Sequence, residues 1–280
     1  LFGFILFIWR QLVYKYPIVN LSVLKDGNLR IGTVMSFILG FGLYGSTLII
    51  PIYTQSILGW TATDAGLLLI PGSITTAFMM PIIGNLIQKG VPQGYMVGSG
   101  FLVFFIFTYM MRDAMTPDTG VEHLYWSLIL RGVGLGLLFV PITTLSLSTL
   151  SGKNIGEGAA FTGMMRQLGG SFGIAIITTF ITRFSQEHRV NLVANLNGSK
   201  FQVQERIQQL QQGFMSKGFT TNEALKKAYQ ALDYSVMKQS TVLSYMDIFS
   251  YLGIMFLCCI PIVFFIKKGK NKVNPADAMH

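Results

Sequence analysis

The sequence predicts an all-α polytopic membrane protein on three observations: long apolar runs, almost no charge inside them, and gaps that alternate in charge. Six stretches are long enough to cross a bilayer, at residues 31–53, 65–88, 92–111, 125–150, 158–182 and 243–266, because a spanning helix needs about 20 predominantly apolar residues. The first three contain no Asp, Glu, Lys or Arg, and the last three carry one ionisable residue each: Arg131, Arg166 and Asp247. Only 12% of the 280 residues are charged, against about 25% in soluble domains.

A net charge of +9 raises nucleic acid as a partner, and the placement of the charges argues against it. Arg10, Lys15, Lys25 and Arg30 lie in the first polar gap, Lys89 and Lys153 in later gaps of the same side, and Lys267, Lys268, Lys270 and Lys272 after the last span. The short gaps on the other side offer Arg112 against Asp64, Asp113, Asp118 and Glu122. Short loops rich in Lys and Arg stay cytoplasmic. The basic residues therefore set topology, leave no role for nucleic acid, and place the C-terminal tail, residues 267–280, in the cytoplasm. The long loop at residues 184–240 then lies outside, since long loops cross largely regardless of charge.

Residues 1–9 (LFGFILFIW) are apolar but about half a span, and read as the truncated end of a transmembrane helix. Residues 10–30 read as a cytoplasmic amphipathic linker, leading into the bundle at residues 31–266. Glycine and proline interrupt the spans: Gly40, Gly42, Gly45 and Pro51 in the first, Pro71 and Pro81 in the second, Gly94, Gly98 and Gly100 in the third. Small residues four apart let helices approach closely, a spacing met by Gly94/Gly98, Gly132/Gly136 and Gly169/Gly173. Tight packing and bending during an alternating-access cycle both suit that pattern. In the outer loop, Val203, Ile207, Leu210 and Phe214 recur at helical spacing. Thr220-Thr221-Asn222-Glu223 forms a capping box, followed by Leu225, Ala228, Leu232 and Val236 on one face. Two short amphipathic helices outside the membrane follow. They can pack on each other, on the bilayer surface or on a partner.

Charged residues inside spans face a bundle interior or an aqueous cavity, so Arg166 and Arg131 are candidates for substrate handling, coupling or inter-helix pairing. Asp247 lies near the outer end of its span, where capping or a local ion pair competes with cation or proton handling. Aromatic and Met residues such as Tyr44, Met79, Met80, Phe139, Met164 and Met165 suit either a lipophilic cavity or ordinary packing. Cys258 and Cys259 are adjacent within the last span and read as apolar filler; His123, His188 and His280 show no metal-ligand spacing. The spans hold no pair of catalytic carboxylates and no nucleophile beside a His, so the chain does not read as an enzyme.

Four segments carry a family resemblance: PIVNLSVLKDGNLRIG (17–32), GWTATDAGLLLIPGS (59–73), LFVPITTLSLSTL (138–150) and GAAFTGMMRQLGGSFGIAI (158–176). With the long loop and YMDIFSYLG (245–253) that follows it, the chain resembles the C-terminal half of the fourteen-helix drug–proton antiporters of the major facilitator superfamily, the EmrB/QacA type. The resemblance implies a C-terminal six-helix bundle in a bacterial inner membrane. It implies export of lipophilic, often cationic compounds, driven by the proton motive force without a cofactor. The N-terminal half of the same chain would supply most proton-binding acids, and a periplasmic membrane-fusion adaptor would dock on the outer loop. Another small solute, such as a nutrient or siderophore, or a non-transporting scaffold remain the alternatives. Residue by residue, GNLIQKG (Gly84 to Gly90) resembles a degraded copy of the superfamily's loop motif, with Gln88 at its acidic position. RGVGLG resembles the Arg-and-Gly motif, giving roles to Arg131, Gly132, Gly134 and Gly136. GMMRQLGGSFG resembles the Gly-rich antiporter motif without its Pro, which brings in Gly163, Arg166, Gln167, Gly169, Gly170 and Gly173. Arg131, Arg166, Gln167, Tyr44 and Asp247 are thus the substrate or coupling candidates, and the glycines are packing or motif positions.

Overall fold

Asp26 starts the first helix by folding its carboxylate back on the chain. In the computed structural model, which describes residues 26–196 and 201–265, Asp26 Oδ1 accepts the Leu29 N–H at 2.9 Å and the Thr149 hydroxyl at 2.6 Å. The cap satisfies one of the helix's orphan donors. Helix α1 therefore spans Gly27–Ser56, and the expected linker at residues 10–30 gives way to helix at Gly27. The rest of that linker, the expected half-helix at residues 1–9 and the tail at 267–280 lie outside the described residues.

The second apolar run is broken into α2 (Ala62–Leu68) and α3 (Ile70–Gln88). Pro71 sits at the start of α3, a position that suits its missing N–H. Helix α3 stops at Gly90, whose φ of +88° belongs to the left-handed region that glycine enters without strain. The remaining helices are α4 (Gln93–Ala114), α5 (Val121–Leu147), α6 (Lys153–Asn195), α7 (Phe201–Met215) and α8 (Thr221–Cys259). A 3₁₀ turn over Ile260–Phe265 follows, where Pro261 cannot extend the hydrogen-bond ladder. Among the described residues there is no strand. Six helical segments of the described residues are long and apolar enough to cross a membrane: α1, α2 with α3, α4, α5, α6 and α8. Exposed Tyr95 near one end of α4 and exposed Trp126 and Tyr125 at the start of α5 fit the aromatic belts at a bilayer's two surfaces.

Burial orders the bundle. The apolar window of α5 is 72% buried, against 17% for α2–α3 and 22% for α6, so α5 is central and the other two flank it. Helix α5 packs against α1, α3 and α4; α6 packs against α1 and α8; α4 also packs against α8. Between α4 and α8 lies an aromatic core of Phe101, Phe104, Phe107, Phe249 and Phe256, with Phe104 and Phe256 stacked at 4.2 Å. Such offset pairs contribute beyond their buried area.

Glycines set the crossing of α1 and α6. A Cβ at Gly40 would collide with the Arg166 carbonyl oxygen, one at Gly169 with the Phe37 carbonyl oxygen, and one at Gly170 with the Tyr44 ring. Gly173 faces the Phe41 carbonyl oxygen, where a Cβ would come to 2.9 Å. In α5, Gly132 lies against the Gly72 carbonyl and Gly136 against Met79, both of α3, and Gly134 against the Phe104 backbone of α4. Gly84 is buried. Gly163, grouped with them in sequence, has open space around its Cα, so no close helix contact requires it.

The long loop departs from the expected pair of short amphipathic helices. Helix α6 continues without interruption to Asn195, and the second amphipathic segment is the beginning of α8, continuous with the last span. Nothing breaks either helix at the membrane edge: no proline or glycine lies between Phe180 and Asn195 or between Thr221 and Tyr251. Only α7 stands as a separate short helix. It packs against α8 with Val203, Ile207, Leu210 and Phe214 half-buried. The turn between them is closed by Glu223 Oε2, which accepts the Thr220 N–H at 3.1 Å and the Thr220 hydroxyl at 2.7 Å. Replacing Thr220 with Ala should cost about 1 kcal/mol of local stability. Amide hydrogen exchange would read this as faster exchange in the first turn of α8 with no change in α4 or α5.

Candidate functional site

The three ionisable residues of the spans end up in three different settings. Arg131 of α5 is buried, 5% exposed, and reaches across to α1. Its Nε donates to Ser46 Oγ at 3.0 Å, and its Nη2 donates to the Leu43 carbonyl oxygen at 3.3 Å and to the Thr47 hydroxyl. Those hydroxyls already donate to backbone: Ser46 to Gly42 O and Thr47 to Leu43 O, each at 2.7 Å. Their lone pairs are therefore free to accept from the guanidinium. Arg131 is a pin between two helices, shut away from any cavity.

Asp247 of α8 lies where α6 and α8 run together toward the hairpin. Its Oδ2 is 2.7 Å from His188 Nε2 of α6. One helical turn or more beyond, Arg189 meets Asp233 at 2.7 Å, and Ser185 approaches Ser240 and Thr241 at 3.5 and 3.4 Å. These contacts zip the two helices. Sequence reading left His188 among scattered histidines; its partner lies 59 positions away, and no spacing rule connects them.

Arg166 of α6 is left incomplete, as are Arg112 at its Nε and Glu157 at its Oε2 elsewhere among the described residues. The Arg166 guanidinium lies over the Phe139 ring of α5, 4.1 Å from the centroid, a cation–π geometry. Its Nη1 is buried and has no hydrogen-bond partner. The next residue, Gln167, is exposed and accepts the Tyr44 hydroxyl on Oε1 at 2.9 Å. The structure thus brings Arg166, Gln167 and Tyr44 to the α1–α6 crossing and adds Phe139 beneath them, while Arg131 and Asp247 stand apart. The crossing is possible only because Gly40, Gly169 and Gly170 leave room for it.

The face that carries Gln167 continues along α6 as Ser171, Phe172 and Thr178, all exposed. On the other flank, α3 exposes Ile74, Phe78 and Ile82. A carboxamide and a guanidinium at membrane depth are costly against lipid tails, so this side of the bundle suits a cavity or a second protein surface.

The family model for the Major Facilitator Superfamily matches residues 5–174. The chain belongs to that superfamily. It is therefore a multi-pass membrane protein of a transporter family. It is 30% identical over 262 residues to the fatty acid resistance protein FarB of Neisseria gonorrhoeae, covering 93% of this chain and 50% of that protein. To the multidrug export protein EmrB of Escherichia coli K12 it is 27% identical over 262 residues, covering 94% and 49%. To the lincomycin resistance protein LmrB of Bacillus subtilis it is 31% identical over 179 residues, covering 64% and 37%. The chain spans about half the length or less of these curated relatives. Superfamily kinship gives meaning to the flanking helices: a bundle with two sparsely covered apolar flanks needs more protein or lipid against them than the described chain supplies.

Proposed function

We propose that this chain is the C-terminal bundle of a proton-driven exporter of lipophilic compounds, which works by alternating access against a second bundle. The observation that carries the reading is the Arg166–Gln167–Tyr44 group over Phe139, polar and incomplete, on the uncovered side of the bundle at membrane depth. Transporter sites of this kind lie near the bilayer midplane between two bundles. The export and resistance names of the relatives above support efflux, and those names differ in their compounds, so kinship does not set the charge of the substrate. In this reading the membrane is the bacterial inner membrane, the basic residues 267–280 lie in the cytoplasm, the α7–α8 hairpin stands outside, and a periplasmic membrane-fusion adaptor can dock on it.

The test is transport in proteoliposomes by the complete transporter, both bundles present. An imposed pH gradient should drive accumulation of a lipophilic fluorescent compound on the proton-rich side, and a protonophore should abolish it. Absence of gradient-dependent movement for every compound tried would sink the exporter reading and favour a scaffold. Residues 1–280 alone should give no transport in the same vesicles, because half of the proposed cavity wall is absent. Replacing residues 202–238 by a short Gly/Ser linker tests the hairpin separately: unchanged co-purification with an adaptor would remove docking from the proposal.

A further inference from the structure

We propose that His188 and Asp247 form a proton-operated tie between α6 and α8. With the imidazole protonated, the helices are joined by an ion pair. With it neutral, they are joined by a hydrogen bond that holds only while the ring keeps its proton on Nε2. This goes beyond the transport reading, which supplies only the side of the membrane from which the proton comes. Among the described residues the two ion pairs both join α6 to α8, His188–Asp247 and Arg189–Asp233, each at 2.7 Å. They differ in chemistry. A guanidinium and a carboxylate ordinarily keep their charges from about pH 5 to 8, whereas a histidine changes charge within that range. The seam therefore carries one constant tie beside one that follows pH. The side chains of His188 and Asp247 are 26% and 43% exposed, so protons reach the pair from water without crossing the bundle.

Among the described residues no other charged neighbour forms an ion pair with either partner. Arg189 is taken by Asp233, and Lys238 of α8 turns to the Pro117 carbonyl oxygen at 3.5 Å. Arg183 and Glu187 of α6 are exposed, as are Glu205 and Arg206 of α7. Tyr251 of α8 stacks its ring on Phe184 of α6 at 5.6 Å. Helix α1 carries no charged residue over positions 31–56, and α4 ends near Arg112 and Asp113. Helix α5 begins with Glu122 and an exposed histidine, His123, which serves as the control. The tied form binds more protons than the released one. The tie is therefore strongest on the acid side, as long as the carboxylate is ionised, and weakens as pH rises through the histidine range. Helix α6 is unbroken from Gln167 to His188, a rod of roughly 30 Å. A proton gained at its outer end thus bears on the helix that carries Arg166 and Gln167 at the α1 crossing.

Amide hydrogen exchange of the purified full-length protein in detergent tests the tie at about pH 5.5 and about pH 8, either side of the histidine range, with rates corrected for the intrinsic effect of pH. In the parent, residues 183–192 and 243–251 should open about threefold less often on the acid side, the size expected of a half-exposed pair. His188→Gln and Asp247→Asn should abolish that difference and leave both segments at the parent's alkaline level. His188→Lys carries a fixed charge and should restore the acid-side protection at both pH values. Unchanged exchange in α4 and α5 shows that each variant folds. Parent protection that is equal at the two pH values, or greater at the alkaline one, overturns the proposal. A pH dependence that survives His188→Gln or Asp247→Asn, or that disappears in His123→Gln, overturns it as well. The measurement needs no flux, so it is separate from the exporter reading. Protection of the expected pattern in a protein that moves no compound keeps the tie and removes the exporter reading. Proton-driven flux with protection that ignores pH does the reverse.

Discussion

A valine at position 169 should prevent the bundle from assembling. The Cβ of any residue larger than glycine would collide with the Phe37 carbonyl oxygen, a backbone atom that cannot swing away as a side chain can. The facing contact is as tight, with Gly40 against the Arg166 carbonyl, so relief at one glycine would have to pry open both. Overpacking of a well-filled core costs about 1–3 kcal/mol, and valine against backbone belongs at the upper end. In lipid the loss is felt fully, because helix association there depends on packing with little hydrophobic drive between helices. The measurable outcome is loss of a monodisperse peak in fluorescence-detected size exclusion of the variant protein. Gly163→Ala is the matched control: it has open space, gains about 1 kcal/mol in helix propensity at most, and should keep its peak and melting temperature. Equal behaviour of the two variants would refute the assigned crossing.

Arg131→Glu should be as damaging, and Arg131→Met less so. In the native arrangement the protons of Ser46 and Thr47 are committed to the Gly42 and Leu43 carbonyl oxygens, so the pocket offers lone pairs only. A carboxylate there would face acceptors alone, with a backbone carbonyl that now sits 3.3 Å from Nη2. An uncompensated buried charge costs about 3–5 kcal/mol. Methionine instead removes a charge whose presence at a helix centre costs about 2.5–3.5 kcal/mol on insertion scales. It forfeits three charged hydrogen bonds of about 1.5–3 kcal/mol each, which together outweigh that relief, but it leaves no uncompensated charge behind. Thermal melts in detergent should place Arg131→Met clearly below the parent yet still folded, and find no folded Arg131→Glu. A tolerated Glu would mean that a cation-binding group faces this pocket.

The bundle was legible because lipid imposes a simple constraint: a backbone that must satisfy itself forms helices, and charge-free runs of spanning length then locate them. What the runs could not supply was the far end of each helix. The apolar signal of α6 stops near Thr182, while the helix itself continues to Asn195, because polar residues such as Gln186, Glu187 and Arg189 form helix as readily as apolar ones. The capping box at Thr220 was readable from spacing alone. Continuity from there into the last span was not, since it depends on the absence of a breaker instead of the presence of a signal. Arg166 and Gln167 stood out as polar groups in apolar surroundings. That Arg166 lies on Phe139 while Arg131 is sealed against α1 depends on the rotation of α5 and α6 about their axes. Both arginines have glycines within three residues in sequence, so composition could not separate a satisfied pin from an incomplete group.

The uninterrupted course of α8 from Thr221 to Cys259 has a mechanical consequence. About 20 residues of it precede the apolar segment, which at 1.5 Å per residue is a stiff arm of roughly 30 Å, as long as the hydrocarbon core is thick. With α7 braced along it and His188–Asp247 and Arg189–Asp233 tying it to α6, the arm has no hinge at the membrane surface. A tilt of the bundle about its midplane would therefore carry the hairpin tip roughly three times as far as it moves the helix at the near surface. Small rotations within the bilayer become displacements of a size that another protein resting on the tip would feel.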